Sequence, residues 1–470
     1  MLHVVRTLPE FNLVRLLRRR GIDTTPLLQW GVIIAVLLAS VLIGLRPSIL
    51  LLALPVGAAG ALLFLRQPTL SLLLVLQAGM VVPFYGPGGL NLTMIGTAAL
   101  IGLWIIGMLI EQRRIWFTSP ETAKPALIFV LVAILAFVVG QLPWYRTQAA
   151  PMNAQIGGLM VFVISIGAFL FVGNKFKDLY WIEWFTWGFL IYGFLHMVSW
   201  LVPRLGDLYA SALFAYGTNG SMFWTWIVIL AFSQAVFNTR LTIVPRLALF
   251  VLVAMTMYVA YVLNGDWKSG WMPAAIGVAV ILLLRSWRFG YLFAVMGIYP
   301  AMKIFSSALA SDEYSYSTRV DAWTIVLEIV KANPILGLGP ANYYWYTPLF
   351  PIRGYAVNFN SHNQYIDLIA QTGIVGLVAF LWLSFAILKV AWQLRTKVDR
   401  GFEEAYVYGA LGGWAAFLAA AGFGDWILPF VYNVGLDGMR ASILPWVFFG
   451  GLVALQVKYQ GRASVDGEIG

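Results

Sequence analysis

The sequence predicts an all-α integral membrane protein, a polytopic bundle of about fourteen transmembrane helices with one large outer loop. Three observations carry this. The 470 residues are 61% hydrophobic and 11% charged, with mean hydropathy +0.82, whereas soluble domains carry about 25% charged residues. Apolar runs of roughly 18 or more residues recur along the chain, the length a helix needs to cross a bilayer core of about 30 Å. The period-2 alternation that a lipid-facing barrel would need is missing, and in lipid only helices and closed barrels satisfy the backbone.

The expected spans are 28–45, 48–65, 70–86, 92–110, 124–142, 155–173, 181–202, 219–237, 246–263, 270–285, 289–308, 364–392, 404–421 and 440–457. They divide the chain into an N-terminal segment 1–27, a transmembrane bundle 28–308, an outer loop 309–363, C-terminal transmembrane helices 364–457 and a tail 458–470. Residues 8–20 (LPEFNLVRLLRRR) read as a basic amphipathic stretch on the cytoplasmic surface. The N-terminus has no small-residue cleavage site after its first apolar run, so it is not read as a cleavable signal.

Orientation follows from the basic residues. With the N-terminus inside, Arg15, Arg18, Arg19, Arg20, Arg66, Arg113, Arg114, Lys175, Lys177, Arg240, Arg246, Arg285, Arg288, Arg395, Lys397, Arg400, Lys458 and Arg462 all fall on the inner side. The short outer loops carry mostly single charges, Arg46, Arg146, Arg204 and Lys268. This is the positive-inside bias. It accounts for the net charge of +10 without a nucleic-acid partner. Both termini are therefore expected inside and loop 309–363 outside. The chain has no cysteine, so neither a disulfide framework nor a thiolate metal site is available. No His-x-x-His, Glu-x-x-His or outer-loop Asp-x-Asp marks a metal site, no Walker loop is present, and no cofactor is expected.

Within the outer loop, Thr318 is expected to N-cap a helix with Asp321 three residues on, and Asn333-Pro334 to end it. Gly337-Leu338-Gly339-Pro340 reads as a tight turn, and Ser361-His362-Asn363 leads into the next span. Of the three histidines, His3 lies at the terminus and His196 reads as a packing residue inside a span. His362 stands at a helix start on the outer side, where backbone N–H groups favour a neutral imidazole suited to general-base work. The alternative is an interfacial neighbour of the helix cap. Arg319 and Arg353 can bind a phosphate bidentately, or can pair with Asp312, Glu313 or Asp321. Lys268 lies at the outer end of a span beside Asp266, which can neutralise it.

The order Arg319…Trp323…Asn333-Pro334…Gly337-Leu338-Gly339…Asn342…His362-Asn363-Gln364-Tyr365…Gly373…Gly376 resembles the C-terminal signature of the O-antigen ligase and polymerase family of membrane glycosyltransferases. The resemblance implies a bundle of the GT-C kind and metal-independent, inverting glycosyl transfer at the outer face of a bacterial inner membrane. It implies an undecaprenyl-diphosphate-linked glycan as donor and, in ligases, lipid A–core as acceptor. Polymerases use a second lipid-linked glycan, and related oligosaccharyltransferases a protein hydroxyl. By this resemblance His362 is the base for the acceptor hydroxyl and Arg319 the diphosphate ligand, with Arg353, Lys268, Asn363, Asn342 and Tyr365 as substrate-binding candidates. Family members carry Ser-Arg where this chain has Lys268-Ser269, which keeps the charge and loses the fork. One long loop favours a ligase over a polymerase. A flippase of lipid-linked sugars would instead show pseudo-symmetric halves and paired charges within spans, and the sequence has neither.

Overall fold

A computed structural model describes residues 66–202, 204–206, 218, 220–265, 267–288, 290–292, 295 and 313–469. The chain divides into Met1–Gln67 and Pro68–Gly470, and the description concerns the second unit. The model is 76% helical, with no strand among the described residues. In order, the helices are α1 Pro68–Val81, α2 Leu92–Gly107, α3 Pro120–Val139, α4 Met152–Lys175, α5 Leu179–Leu201, α6 Ser221–Phe237, α7 Ile243–Tyr258, α8 Lys268–Arg285, α9 Glu313–Val330, the single turn α10 Tyr343–Tyr346, α11 Gln364–Leu394, α12 Phe402–Phe423 and α13 Met439–Ile469. A π-helical turn extends α2 to Gln112 and another extends α7 to Leu263.

Seven of these helices are long and apolar enough to cross a membrane, and three shorter apolar ones, in α1, α6 and α8, accompany them. These and α5 fall on spans drawn from the sequence. The amphipathic stretch 8–20 and the spans 28–45, 48–65 and 289–308 lie outside the described residues. α13 runs beyond the expected span end at 457 to Ile469.

The most apolar window of α13 is 100% buried, and that of α7 only 28%. α13 is thus a central helix, packed against α4 and α6. α7 turns Val244, Leu247, Val251 and Tyr258 outward, an apolar stripe at helical spacing of the kind lipid covers. His196 is buried as expected, its ring accepting from Trp200 Nε1 (3.3 Å) and packed edge-on against Phe223 and Trp224.

The contacts between loops sort them into two ends, as the alternation of spans requires. At one end the loop after α3 meets the loop after α9, with Asn342 Nδ2 donating to Gly140 O (3.0 Å). The loop after α1 meets the start of α13 through Tyr85 Oη and Asp437 Oδ2 (3.0 Å). Trp267, ahead of α8, packs on Trp426 after α12. At the other end Thr118 N donates to Asn174 Oδ1 (2.8 Å), Lys389 pairs with Glu121 (2.9 Å), and Lys458 pairs with Glu403 (2.6 Å). The first group comprises loops assigned outside and the second comprises loops assigned inside.

α9 departs from expectation at its start. It is already helical at Glu313, so Thr318 lies within it and is not its N-cap. Its end matches, with Asn333-Pro334 following Val330.

α11 is broken at Gly373 (φ 68°, ψ −175°). In an unbroken helix the amides of Ile374 and Val375 would bond the carbonyls of Ala370 and Gln371. Here they donate instead to Pro334 O (2.9 Å) and Ile335 O (3.3 Å). The freed carbonyls accept from Leu338 N (2.9 Å) and Gly339 N (3.1 Å). The Asn-Pro-x-x-Gly-x-Gly loop thus replaces these helical bonds, and all four displaced backbone groups keep partners.

The glycines follow from this docking. A Cβ on Gly373 would lie 2.0 Å from Ile335 O, and one on Gly337 would lie 2.6 Å from Gly373 N. Gly373→Ala adds a clash to a backbone conformation that is nearly exclusive to glycine. We expect it to destabilise the outer loop by about 2 kcal/mol or more, measured as faster proteolysis between 331 and 362 in membranes.

Candidate functional site

The docked loop places a cluster of aromatic and apolar groups beneath the site. Val326, Ile329 and Val330 of α9 pack with Leu338, Tyr343, Tyr346, Ala370 and Phe430. Two hydrogen bonds pin α9 over this cluster: Tyr145 Oη donates to Ile329 O (2.7 Å) and Trp323 Nε1 donates to Ser361 O (2.7 Å). The Trp323 bond joins α9 to the residue preceding His362.

His362 is held from both sides. Ser361 is fully buried, and its Oγ donates to Asp367 Oδ1 (2.8 Å). Asn363 is the N-cap of α11, its Oδ1 accepting from Tyr365 N (3.0 Å) and Ile366 N (3.3 Å). Between them His362 adopts φ +48°. Left-handed backbone in a residue with a Cβ costs roughly 1–2 kcal/mol. Such strain persists only where the surroundings fix it, and it clusters at functional sites. His362 is an exposed residue. Its Nδ1 lies 3.4 Å from Asn433 Nδ2, which also donates to Asp425 Oδ1. Neighbouring protein strips water from part of the ring, and this first, then the Arg319 charge, lowers the His362 pKa. The imidazole is accordingly neutral near pH 7.

Arg319 is exposed on α9, within electrostatic reach of His362, and forms no ion pair among the described residues. Its guanidinium is open to an anion. Arg353 takes the paired alternative. Its Nε donates to Asp321 Oδ2 (2.8 Å) and its Nη2 to Ser317 Oγ, fastening the irregular stretch to α9. It too has positive φ, at 52°. Lys268 begins α8, and its side chain lies outside the described residues.

The remaining candidates hold the frame. Asn342 is fully buried, donating to Gly140 O (3.0 Å) and Leu338 O (2.8 Å) and accepting from Ala150 N (3.0 Å). These bonds occupy its amide and tie the loop to Gly140 and Ala150. Tyr365 Oη donates to Leu418 O (2.8 Å), joining α11 to α12. Asn363 spends its side-chain oxygen on the cap and its nitrogen on Gly422 O (3.4 Å).

Sequence reasoning passed over Asp425, Asn433, Asp367 and Tyr343. Asp367 and Asp425 are both fully buried. Tyr343 Oη donates to Asp367 Oδ1. Phe430 N donates to Asp425 Oδ2 (2.7 Å). Burial raises the Asp425 pKa, opposed in part by the bonds from Phe430 and Asn433. The available signal was an acidic residue in each of two short apolar contexts, QYIDLI and GFGDWI, where a charge is costly without a task.

Residues 208–381 match the family model described as O-antigen ligase. Every residue of the motif from Arg319 to Gly376 lies inside that match. No curated protein matches the chain.

Proposed function

We propose, for a chain that matches the O-antigen ligase family model over residues 208–381, glycosyl transfer from an undecaprenyl-diphosphate-linked glycan to lipid A–core at the outer face of a bacterial inner membrane. The observation that carries this reading is the pairing at one end of a membrane bundle of a neutral, exposed histidine with an exposed, uncommitted arginine. Transfer from a polyprenyl diphosphate needs both elements: a base for the acceptor hydroxyl and a cation where charge builds on the leaving group.

In the proposed step His362 Nε2 takes the acceptor hydroxyl proton as the oxygen bonds to the anomeric carbon. The bond from that carbon to the diphosphate oxygen breaks, and the diphosphate leaves with the electron pair against Arg319. A single displacement of this kind inverts the anomeric centre. Lys268 and Arg353 add positive charge at the same end, and the apolar outer surfaces of the bundle suit the prenyl chain.

Purified protein supplied with lipid-linked glycan and lipid A–core tests the reading directly. Glycan appearing on lipid A–core is the expected result. Lengthened lipid-linked glycan would replace the ligase with a polymerase, and translocation across vesicles without bond transfer would replace it with a flippase. Sidedness has its own test, because the chain has no native cysteine. Val357 is 47% exposed on the loop, and Val357→Cys is expected to react with an impermeant thiol reagent from outside intact spheroplasts. Reaction only after the membrane is opened would invert the topology.

A further inference from the structure

The environment of His362 has a consequence for which ring nitrogen can act. An imidazole accepts a proton only at a nitrogen that bears none, and in the neutral ring one nitrogen always carries hydrogen. Asn433 Nδ2 faces both Asp425 Oδ1 and His362 Nδ1. An amide NH₂ has two hydrogens, so this arrangement gives one to the carboxylate and one to Nδ1. His362 then keeps its own proton on Nε2, and the nitrogen turned away from Asn433 is a donor, not a base. Turned over, Asn433 presents Oδ1 to the same two partners. That arrangement requires a donor on each, a protonated Asp425 and His362 Nδ1–H, and it leaves Nε2 bare.

We propose that Asn433 couples the proton on Asp425 to the tautomer of His362, so that Nε2 is free to act as a base only when Asp425 is protonated. The inference rests on the glycosyl-transfer reading for its role in the reaction, and on geometry alone for the coupling. Phe430 N–H donates to Asp425 Oδ2 (2.7 Å), and Oδ1 is the oxygen that faces Asn433 and would carry the added proton. Asp425 is fully buried while Asn433 is exposed, which leaves the amide room to rotate beside a fixed carboxyl. Switching moves one proton from solvent onto Asp425 Oδ1, turns the amide over, and relocates the ring proton from Nε2 to Nδ1 by exchange with solvent.

The groups that bias this equilibrium are Asp367 of α11 and Tyr343 of α10 on Asp425, and Arg319 of α9 on His362. Burial favours the protonated Asp425 carboxyl. Arg319 favours the neutral ring. Asn433 is therefore a positioning residue, acting through His362.

The test reads the tautomer directly. The chain has three histidines, so ¹⁵N-histidine labelling of the full-length protein in nanodiscs gives three ring systems, with His362 assigned by its loss in His362→Gln. The expected result for the unmodified protein is a change of the neutral His362 ring from Nδ1–H to Nε2–H as pH rises through the Asp425 titration. Asp425→Asn always has a donor for Asn433 Oδ1, and it should hold Nδ1–H at every pH where the ring is neutral. Asn433→Ala, an exposed truncation that spares the buried acid, should leave one tautomer distribution independent of pH.

A ring in Asp425→Asn that still changes tautomer with pH would overturn the coupling, as would a pH-dependent tautomer in Asn433→Ala. No substrate is present, so these results are independent of the transfer assay. If His362→Gln transfers glycan normally while the tautomer still follows Asp425, the coupling stands and the base assignment falls.

Discussion

His362→Gln lowers glycan transfer by about 10²–10⁴-fold, the usual cost of losing a positioned base, while the protein remains folded and inserted. Glutamine keeps hydrogen-bonding capacity at the position and cannot take a proton, so it separates positioning from proton transfer. Stability should change little, because His362 is exposed and its neighbours Ser361 and Asn363 make the bonds that fix the local backbone.

The pH dependence gives a second reading. Water exclusion and the Arg319 charge both disfavour the imidazolium, so the His362 pKa lies below its ordinary value of 6.5. The neutral ring is present above that lowered pKa and lost as pH falls through it. Activity in the unmodified protein is thus expected to persist at mildly acidic pH and to decline only below the ordinary histidine range. Transfer by His362→Gln at a rate close to that of the unmodified protein would reduce His362 to a positioning role.

The all-helical membrane class and the described spans were legible because lipid imposes them. A span must be long and apolar, and a basic loop stays on one side. The loop contacts at the two ends of the bundle reproduce that alternation without any hydropathy being consulted. His362 and Arg319 drew attention in the sequence because isolated polar groups stand out in such a chain. What could not be read was how bonds were shared. The swap of helical hydrogen bonds at Gly373 depends on a loop arriving from Pro334 to Gly339, and no local pattern in α11 announces it. Thr318 had the residue type and spacing of a cap, yet the helix extends past it to Glu313, because capping preference is worth only about 1 kcal/mol. Asn342 and Arg353 had the chemistry of substrate ligands. Asn342 is buried against three backbone groups, which no local pattern announces, whereas Arg353 takes the pairing with Asp321 that the sequence offered as its alternative. The Asp425–Asn433–His362 chain joins the loop after α12 to the loop before α11, a proximity set by packing alone.

Arg319→Ala is expected to lower transfer by about 10²–10³-fold, the cost of removing one preorganised charge from a developing anion. Arg319→Lys keeps the charge and loses the planar fork, so it should recover only part of that loss. Arg353→Lys should matter less than either, because Arg353 already spends its guanidinium on Asp321 and Ser317, and exposed pairs of that kind contribute about 0–1 kcal/mol. A second effect of Arg319→Ala distinguishes a charge beside His362 from a merely structural residue on α9. The positive charge disfavours protonation of the ring, so its removal raises the His362 pKa. The ring stays partly shielded from water, and the pKa therefore moves toward its ordinary value without reaching it. The acid limb of the residual activity should shift to higher pH in Arg319→Ala and stay in place in Arg319→Lys. An unmoved acid limb in Arg319→Ala would show that the guanidinium acts too far from His362 to share a site with it, and the diphosphate would then have to be held by another cation at that end.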